Sequence, residues 1–456
     1  MSDSRDLTTG PVAGHLARLG TPMVLAILAI LSVSLVDTYF IGQLGEAPLT
    51  AISFTFPVVL TISSLAIGLA AGASSVVART VGLGDRQDTR RVSTDSLVLA
   101  LGFVIAASTL GWVFVRPLFA ALGARGVVLD DVVTYMQVWF IGMPFLVVPM
   151  VANGLIRANG DSAVPSAIMT VAAFVNAALD PVLIHGWWGA PALGIAGAAW
   201  ATLAARGVSC VLAIAVLVGR ERLLTLQVPD LSTLWASWRR ILSVGVPAAA
   251  SNMVNPLGLT GITALLASYG DDVVAAFGVA TRIESFVAIP LLALSAAIGP
   301  IAGQNWASAP ARSRRAVAQS MGFCVAWSGL AAGVFWFAAT PLTAPFAPTD
   351  SIQALAIQYL HVEGWTVGGY GIVIVAAAAC NAIDHATRGL VMNLLRTVVL
   401  TVPLVALAVQ FGPHDSPWMA FAGIGLANLV SSAITAFWVL RITRREPAGV
   451  SHGGAR

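Results

Sequence analysis

The chain is 456 residues long, 57% hydrophobic and only 10% charged, far from the roughly 25% charge of soluble domains. Its formal net charge of +3 comes from arginine, since no lysine occurs, and its three cysteines all lie in apolar stretches. These values exclude a soluble globular domain, a disulfide framework and a cysteine metal site.

The expected fold is therefore an all-α polytopic membrane protein, its 43 glycines and 23 prolines suiting helices that pack closely and bend. Residues 1–20 are polar, lack a cleavable signal pattern and read as a cytoplasmic tail, so the first apolar run stays as a span. Twelve apolar stretches follow that can each cross about 30 Å of hydrocarbon. They lie at 21–42, 49–80, 94–120, 132–156, 164–186, 194–219, 241–268, 273–303, 317–346, 353–380, 387–411 and 417–441. Several exceed what a crossing needs, which predicts tilt or bending.

Most of the 24 arginines fall in the tails or in loops joining even-numbered spans to odd ones, among them Arg86, Arg90, Arg91, Arg220, Arg240, Arg312, Arg314, Arg315, Arg441 and Arg445. Arg116 and Arg125 lie on the other side, and Arg206 and Arg282 are left inside spans. This asymmetry places both termini in the cytoplasm and accounts for the net charge without a nucleic-acid partner. Trp187, Trp188 and Trp418 near the outer span ends read as interface anchors.

The second half repeats the first at an offset of 224 or 225 residues. Gly20-Thr21-Pro22 matches Gly245-Val246-Pro247, Gly45 matches Gly270, Arg90-Arg91 matches Arg314-Arg315, Tyr135 matches Tyr359 and Ala158 matches Ala382. Six spans per repeat is an even number, so the copies share one orientation as parallel repeats, a transporter design with a site between or within the halves. The domains read as a six-helix lobe at 21–219, a cytoplasmic linker at 220–240, a second six-helix lobe at 241–441 and a tail at 442–456. Leu231, Leu234, Trp235 and Trp238 of the linker are expected along the cytoplasmic interface.

Acids inside spans are costly and mark proton, ion or substrate paths. Asp37 in span one, and Asn176 with Asp180 in span five, stand out. Four residues apart on a helix, Asn176 and Asp180 share one face. The offset pairs Asp37 with Ile262 or Gly261, and Asp180 with Leu404 or Val405, so whatever these carboxylates do belongs to the first half. Facing one cavity, they titrate as a coupled pair. The bland readings are a water-facing Asp37 at the outer mouth, Asp180 at a helix end paired with Arg206, and Asn176 as hydrogen-bond glue between helices.

The segments LVDTYFIGQLG, GLGDRQDTRR, RANGDSAVPS, NAALDPVLI and GIAGAAWAT, in this order and with Pro22 ahead of Asp37, resemble the multidrug and toxic compound extrusion (MATE) family and its DinF-like prokaryotic branch. The resemblance runs from about Gly20 to Arg441. It implies twelve transmembrane helices in two lobes of a bacterial or archaeal inner-membrane protein. It also implies a monomer that exports amphipathic or organic-cation compounds in exchange for H⁺ or Na⁺, with no enzyme activity and no cofactor. Carried over, the cation-coupling residues are Asp37, Asn176 and Asp180, which would also ligate Na⁺, with Asn153 and Thr202 as further shell and Pro22 as the bending point of span one. The span-seven acids of the NorM branch have no counterpart between Gly245 and Ser268. Tyr39, Arg206, Arg282, Glu284 and Glu363 are candidate cavity residues, with structural salt bridging as the expected role of the last four. Two other functions compete. A lipid-linked saccharide flippase would want a more cationic cavity, and an integral-membrane transferase would want a metal-binding acid cluster.

Overall fold

The computed structural model describes residues 6–43, 46–225, 227, 230–413 and 416–444. Gly45 of the repeat register and Arg445 of the second tail lie outside them. Among the described residues every regular element is a helix. In the first half these are α1 (Val12–Gly42), α2 (Glu46–Gly82), α3 (Arg86–Ala121), α4 (Gly126–Gly142), α5 (Pro144–Ala158), α6 (Ala163–His185) and α7 (Ile195–Ala215). The second half contains α8 (Leu231–Leu266), α9 (Asp271–Val287), α10 (Ile289–Trp306), α11 (Pro310–Thr343), α12 (Asp350–Ala382), α13 (Ala386–Leu394), α14 (Val402–Phe411) and α15 (Trp418–Ile442). A π-helical stretch, Leu395–Thr401, joins α13 to α14 in one span.

Two spans read as continuous are broken. α4 meets α5 at 41° and α9 meets α10 at 45°. Each second helix opens with a proline, Pro144 or Pro290, which has no N–H for the preceding turn and collides with its carbonyl. Counting each bent pair as one, eleven helical units among the described residues are long and apolar enough to cross a membrane. α8, at the place of the expected seventh span, is 36 residues long but is not among them, its apolar run diluted by Ser251, Asn252 and Asn255. α8 begins at Leu231, so the expected interfacial stretch is continuous with span seven rather than a separate element. Leu231 and Trp235 stay exposed.

Lipid is as apolar as leucine, so helices here associate through close packing and hydrogen bonds. Small residues make that possible. α8 crosses α2 where Gly68 and Gly72 face Gly245, and a Cβ at Gly68 would strike the Ala249 backbone. A Cβ at Gly197 would strike the Leu183 carbonyl, so this glycine lets α7 lie against α6. In the second half α12 is the central helix, with 78% of its span buried. At its Gly369 an added Cβ would sit 2.6 Å from the Asn428 carbonyl of α15.

The chain forms two compact units, one of Leu25–Ala249 and one of Met1–Val24 with Ala250–Arg456. The first is built on a core that includes Val76, Val104, Phe119, Met136, Phe140 and Leu155. In the second, Leu7, Val12, Leu16 and Leu19 pack with Leu294, Ile298, Ile301 and Trp306. The dividing points fall within α1 and α8, two residues after Pro22 and two after Pro247. The first helix of each repeat therefore starts in the unit built mainly from the other repeat.

Candidate functional site

α6 carries its acid on an interrupted turn. Asp180 is fully buried and accepts a 3.0 Å hydrogen bond from the Asn176 side chain on the same face. Pro181 has no N–H to give Ala177, so the helix that presents the acid also leaves a carbonyl uncommitted beside it. Further on, α6 ends at Gly186 with φ 77°, a left-handed conformation that glycine takes without strain.

Asp37, toward the C-terminal end of α1, lies close enough to Asp180 for the two carboxyls to interact electrostatically. The two acids are far apart in sequence and adjacent in space. Neither Asp37 Oδ1 nor Asp180 Oδ2 meets a protein donor, and both atoms are buried. Two ionised carboxylates at this separation repel, so a proton or a small cation between them is what makes the approach stable. Around the pair, Phe40 and Ile41 pack with Ile184 and Ala198, and the Phe40 ring lies 5.8 Å from His185 and 6.2 Å from Trp187.

Other expected neighbours are placed less directly. Asn153 is buried with its Oδ1 unpartnered, and neither it nor half-buried Thr202 hydrogen-bonds to the acids. Arg206 does not pair with Asp180. Its guanidinium lies 5.8 Å from the centre of the Trp139 ring, within electrostatic reach of Asp37. Tyr39 is 64% exposed and packs edge-on to Phe40. Pro22 sits inside continuous helix, in the portion of α1 that belongs to the unit of Met1–Val24.

In the second half the expected salt bridges do not form among the described residues. Glu284 accepts instead from the Tyr359 hydroxyl at 2.9 Å. Buried Glu363 accepts from Thr366 at 3.1 Å and from Asn428 at 3.3 Å. Arg282, two residues from Glu284 and on another face, is exposed and makes no ion pair. The cation that joins this network is Arg396, which falls inside the expected span 387–411, where only Arg206 and Arg282 were expected as in-span arginines. It donates to Asn428 at 3.1 Å and Asn255 at 2.6 Å and lies 4.8 Å from the centre of the Tyr370 ring. A cleft of about 640 Å³ is lined by Trp336, His361, Trp365 and Trp418. Thr366 also lines this cleft, which connects it to Glu363.

Comparison with known proteins gives concordant matches. The MatE family profile matches residues 22–182 and again 247–407, both beginning at the repeat-related prolines. A protein of Shewanella oneidensis named FAD transporter is 39% identical over 408 residues, covering 89% of this chain and 90% of that one. A Bacillus subtilis protein named probable multidrug resistance protein YpnP is 27% identical over 444 residues, covering 96% and 97%. Among solved structures, an outward-facing multidrug resistance MATE family transporter superposes with a TM-score of 0.90 at 23% identity, covering 97% and 98%.

Proposed function

Since the chain belongs to the MatE family, with relatives named FAD transporter and probable multidrug resistance protein, we propose that it is a secondary active exporter. Its coupling ion, H⁺ or Na⁺, binds between Asp37 and Asp180. The observation that carries this reading is the approach of the half-buried Asp37 carboxyl to the buried one of Asp180, each with a buried oxygen that meets no protein donor. A proton bridges such a pair directly. For Na⁺, the two carboxylates would supply hard oxygen donors, and the Asn176 side-chain oxygen and the Ala177 carbonyl are the nearby groups on α6 that would complete the shell.

Binding removes repulsion between α1 and α6, and release restores it. A site that exists only when both helices approach thus converts cation occupancy into a movement of α1, with Pro22 as the point that yields. Substrate released by that movement leaves as the cation enters, which is antiport. The expected cycle holds substrate and cation in competition for one conformational equilibrium.

Two substrate classes are supported. The relative at 39% identity favours flavin adenine dinucleotide, an aromatic anion, and the in-span guanidiniums of Arg206 and Arg396 suit that charge. The more distant multidrug relatives favour amphipathic organic cations. Proteoliposomes with separately imposed pH and sodium gradients, assayed with flavin adenine dinucleotide and with ethidium, decide between them. Transport driven by one gradient and lost in Asp37→Asn supports the proposal. Transport indifferent to both gradients overturns it in favour of a flippase.

A further inference from the structure

Two backbone segments far from the acids are gripped by arginine in the same manner. Ahead of α1, Leu7 is fully buried, and its carbonyl accepts from Asn305 Nδ2 at 3.0 Å and Arg312 Nε at 3.1 Å. The same guanidinium donates to the carbonyls of Thr9 at 2.6 Å and Gly10 at 2.7 Å. Asp6 ties the segment internally through the Thr8 amide and the hydroxyls of Thr8 and Thr9. Ahead of α8, Leu223 is 4% exposed, and the next carbonyl, of Leu224, accepts from both Nε and Nη2 of Arg90 at 3.1 and 2.8 Å. Thr225 N donates to Thr94 Oγ1 at 3.0 Å, and Trp238 Nε1 donates to the Asp95 carbonyl at 3.1 Å.

The two clasps use corresponding helices of the two copies at different positions, since the register pairs Arg90 with Arg314 and Arg312 with Asp88. Arg90 lies in the first turns of α3, and Arg312 in the first turn of α11, the equivalent helix of the second copy. The third span of each repeat thus holds the approach to the first span of the other. The division of the chain into units has the same form, with the start of α1 in one unit and the start of α8 in the other. Guanidinium suits this task because its rigid fork of donors can engage several carbonyls at once.

The geometry points to Arg312 with Asn305, and Arg90 with Thr94, as positioning residues of transport, fixing the cytoplasmic ends of α1 and α8. A helix anchored at its start and carrying Asp37 near its far end has to accommodate any movement of the acid in between, where Pro22 lies. Without the clasp, the same movement would be taken up by the tail and the helix would shift as a rigid rod. The link to Asp37 rests on the proposed function, whereas the anchoring does not.

The test places Thr9→Cys and Arg312→Cys together in a chain whose Cys210, Cys324 and Cys380 are alanine. A reductant-reversible bis-methanethiosulfonate about as long as an arginine side chain then replaces the guanidinium. Before cross-linking, turnover should fall about tenfold with KM unchanged, and cross-linking should restore at least about half of the parent rate. Equal turnover in the two forms, at whatever level, overturns the inference, and comparing one polypeptide with itself removes folding as an explanation. Independently, amides of Val12–Met23 should exchange hydrogen about tenfold faster in Arg312→Ala than in the unmodified chain. Unchanged exchange overturns the anchoring. If the parent transports neither probe the coupling proposal fails, and exchange still decides on the clasp.

Discussion

At the residue scale, Asp180 accepts one hydrogen bond, from Asn176, and its second oxygen has no protein donor. Replacing Asp37 or Asp180 with asparagine keeps the volume and removes the exchangeable charge. Gradient-driven export in vesicles should then fall by about tenfold or more, at least about 1.4 kcal/mol on the coupled step. Removing Asn176 as alanine deletes one hydrogen bond, worth about 0.5–1.5 kcal/mol, so cation affinity should weaken by only about two- to tenfold. Arg396→Ala strips a partner from both Asn255 and Asn428. That should lower the unfolding midpoint in detergent by the equivalent of about 1–3 kcal/mol. In the tail, the Thr8 hydroxyl and amide, with Thr9 and His15, hold the Asp6 carboxyl below its ordinary value of 3.8. Its contribution is therefore present at neutral pH and lost as pH falls through that lowered value. Exchange of the Thr8 amide, corrected for intrinsic rate, should accelerate there and not at pH 5–7.

At the element scale, α1 and the α6–α7 pair have different tasks. Pro22→Ala adds an N–H and straightens the helix that has to yield, so turnover should slow while cation affinity is kept, measured as a fall in maximal rate at constant half-saturation. Gly197→Leu forces side-chain atoms into the Leu183 backbone. It should cost about 1–3 kcal/mol of stability and reduce both parameters. Much of this level was legible in advance, because helix length, the polar interruptions at Asp37, Asn176 and Asp180, and the repeat are written in residue type and spacing. The bends at Pro144 and Pro290 have a local signal in the prolines themselves, set within apolar runs that are otherwise continuous. Arg396 carried one too, since it sits inside an apolar run. The exchange of Asn255 and Asn428 for the expected acidic partners had none, because hydrogen bonds between distant helices leave no mark on spacing. The two clasps are invisible for the same reason, as each uses backbone carbonyls that every sequence possesses.

At the scale of the whole molecule, two copies of one six-span unit have diverged in chemistry while keeping one scaffold. The first copy contains the paired acids. The second has apolar residues at the corresponding positions and places its own acids, Glu284 and Glu363, among hydroxyl, amide and guanidinium groups. The arginine placement predicts cytoplasmic termini, and on that prediction a cysteine introduced at Ser232 should react with membrane-impermeant maleimide only from the cytoplasmic side, whereas reaction from the other side would reverse it.

The most direct measurement of the central claim is proton or sodium release from purified, unbuffered protein on adding its transported substrate. The coupled carboxyl pair predicts release approaching one cation per substrate bound, absent when Asp37 and Asp180 are both asparagine. Substrate binding with no cation released, or with the same release from that double variant, would contradict it.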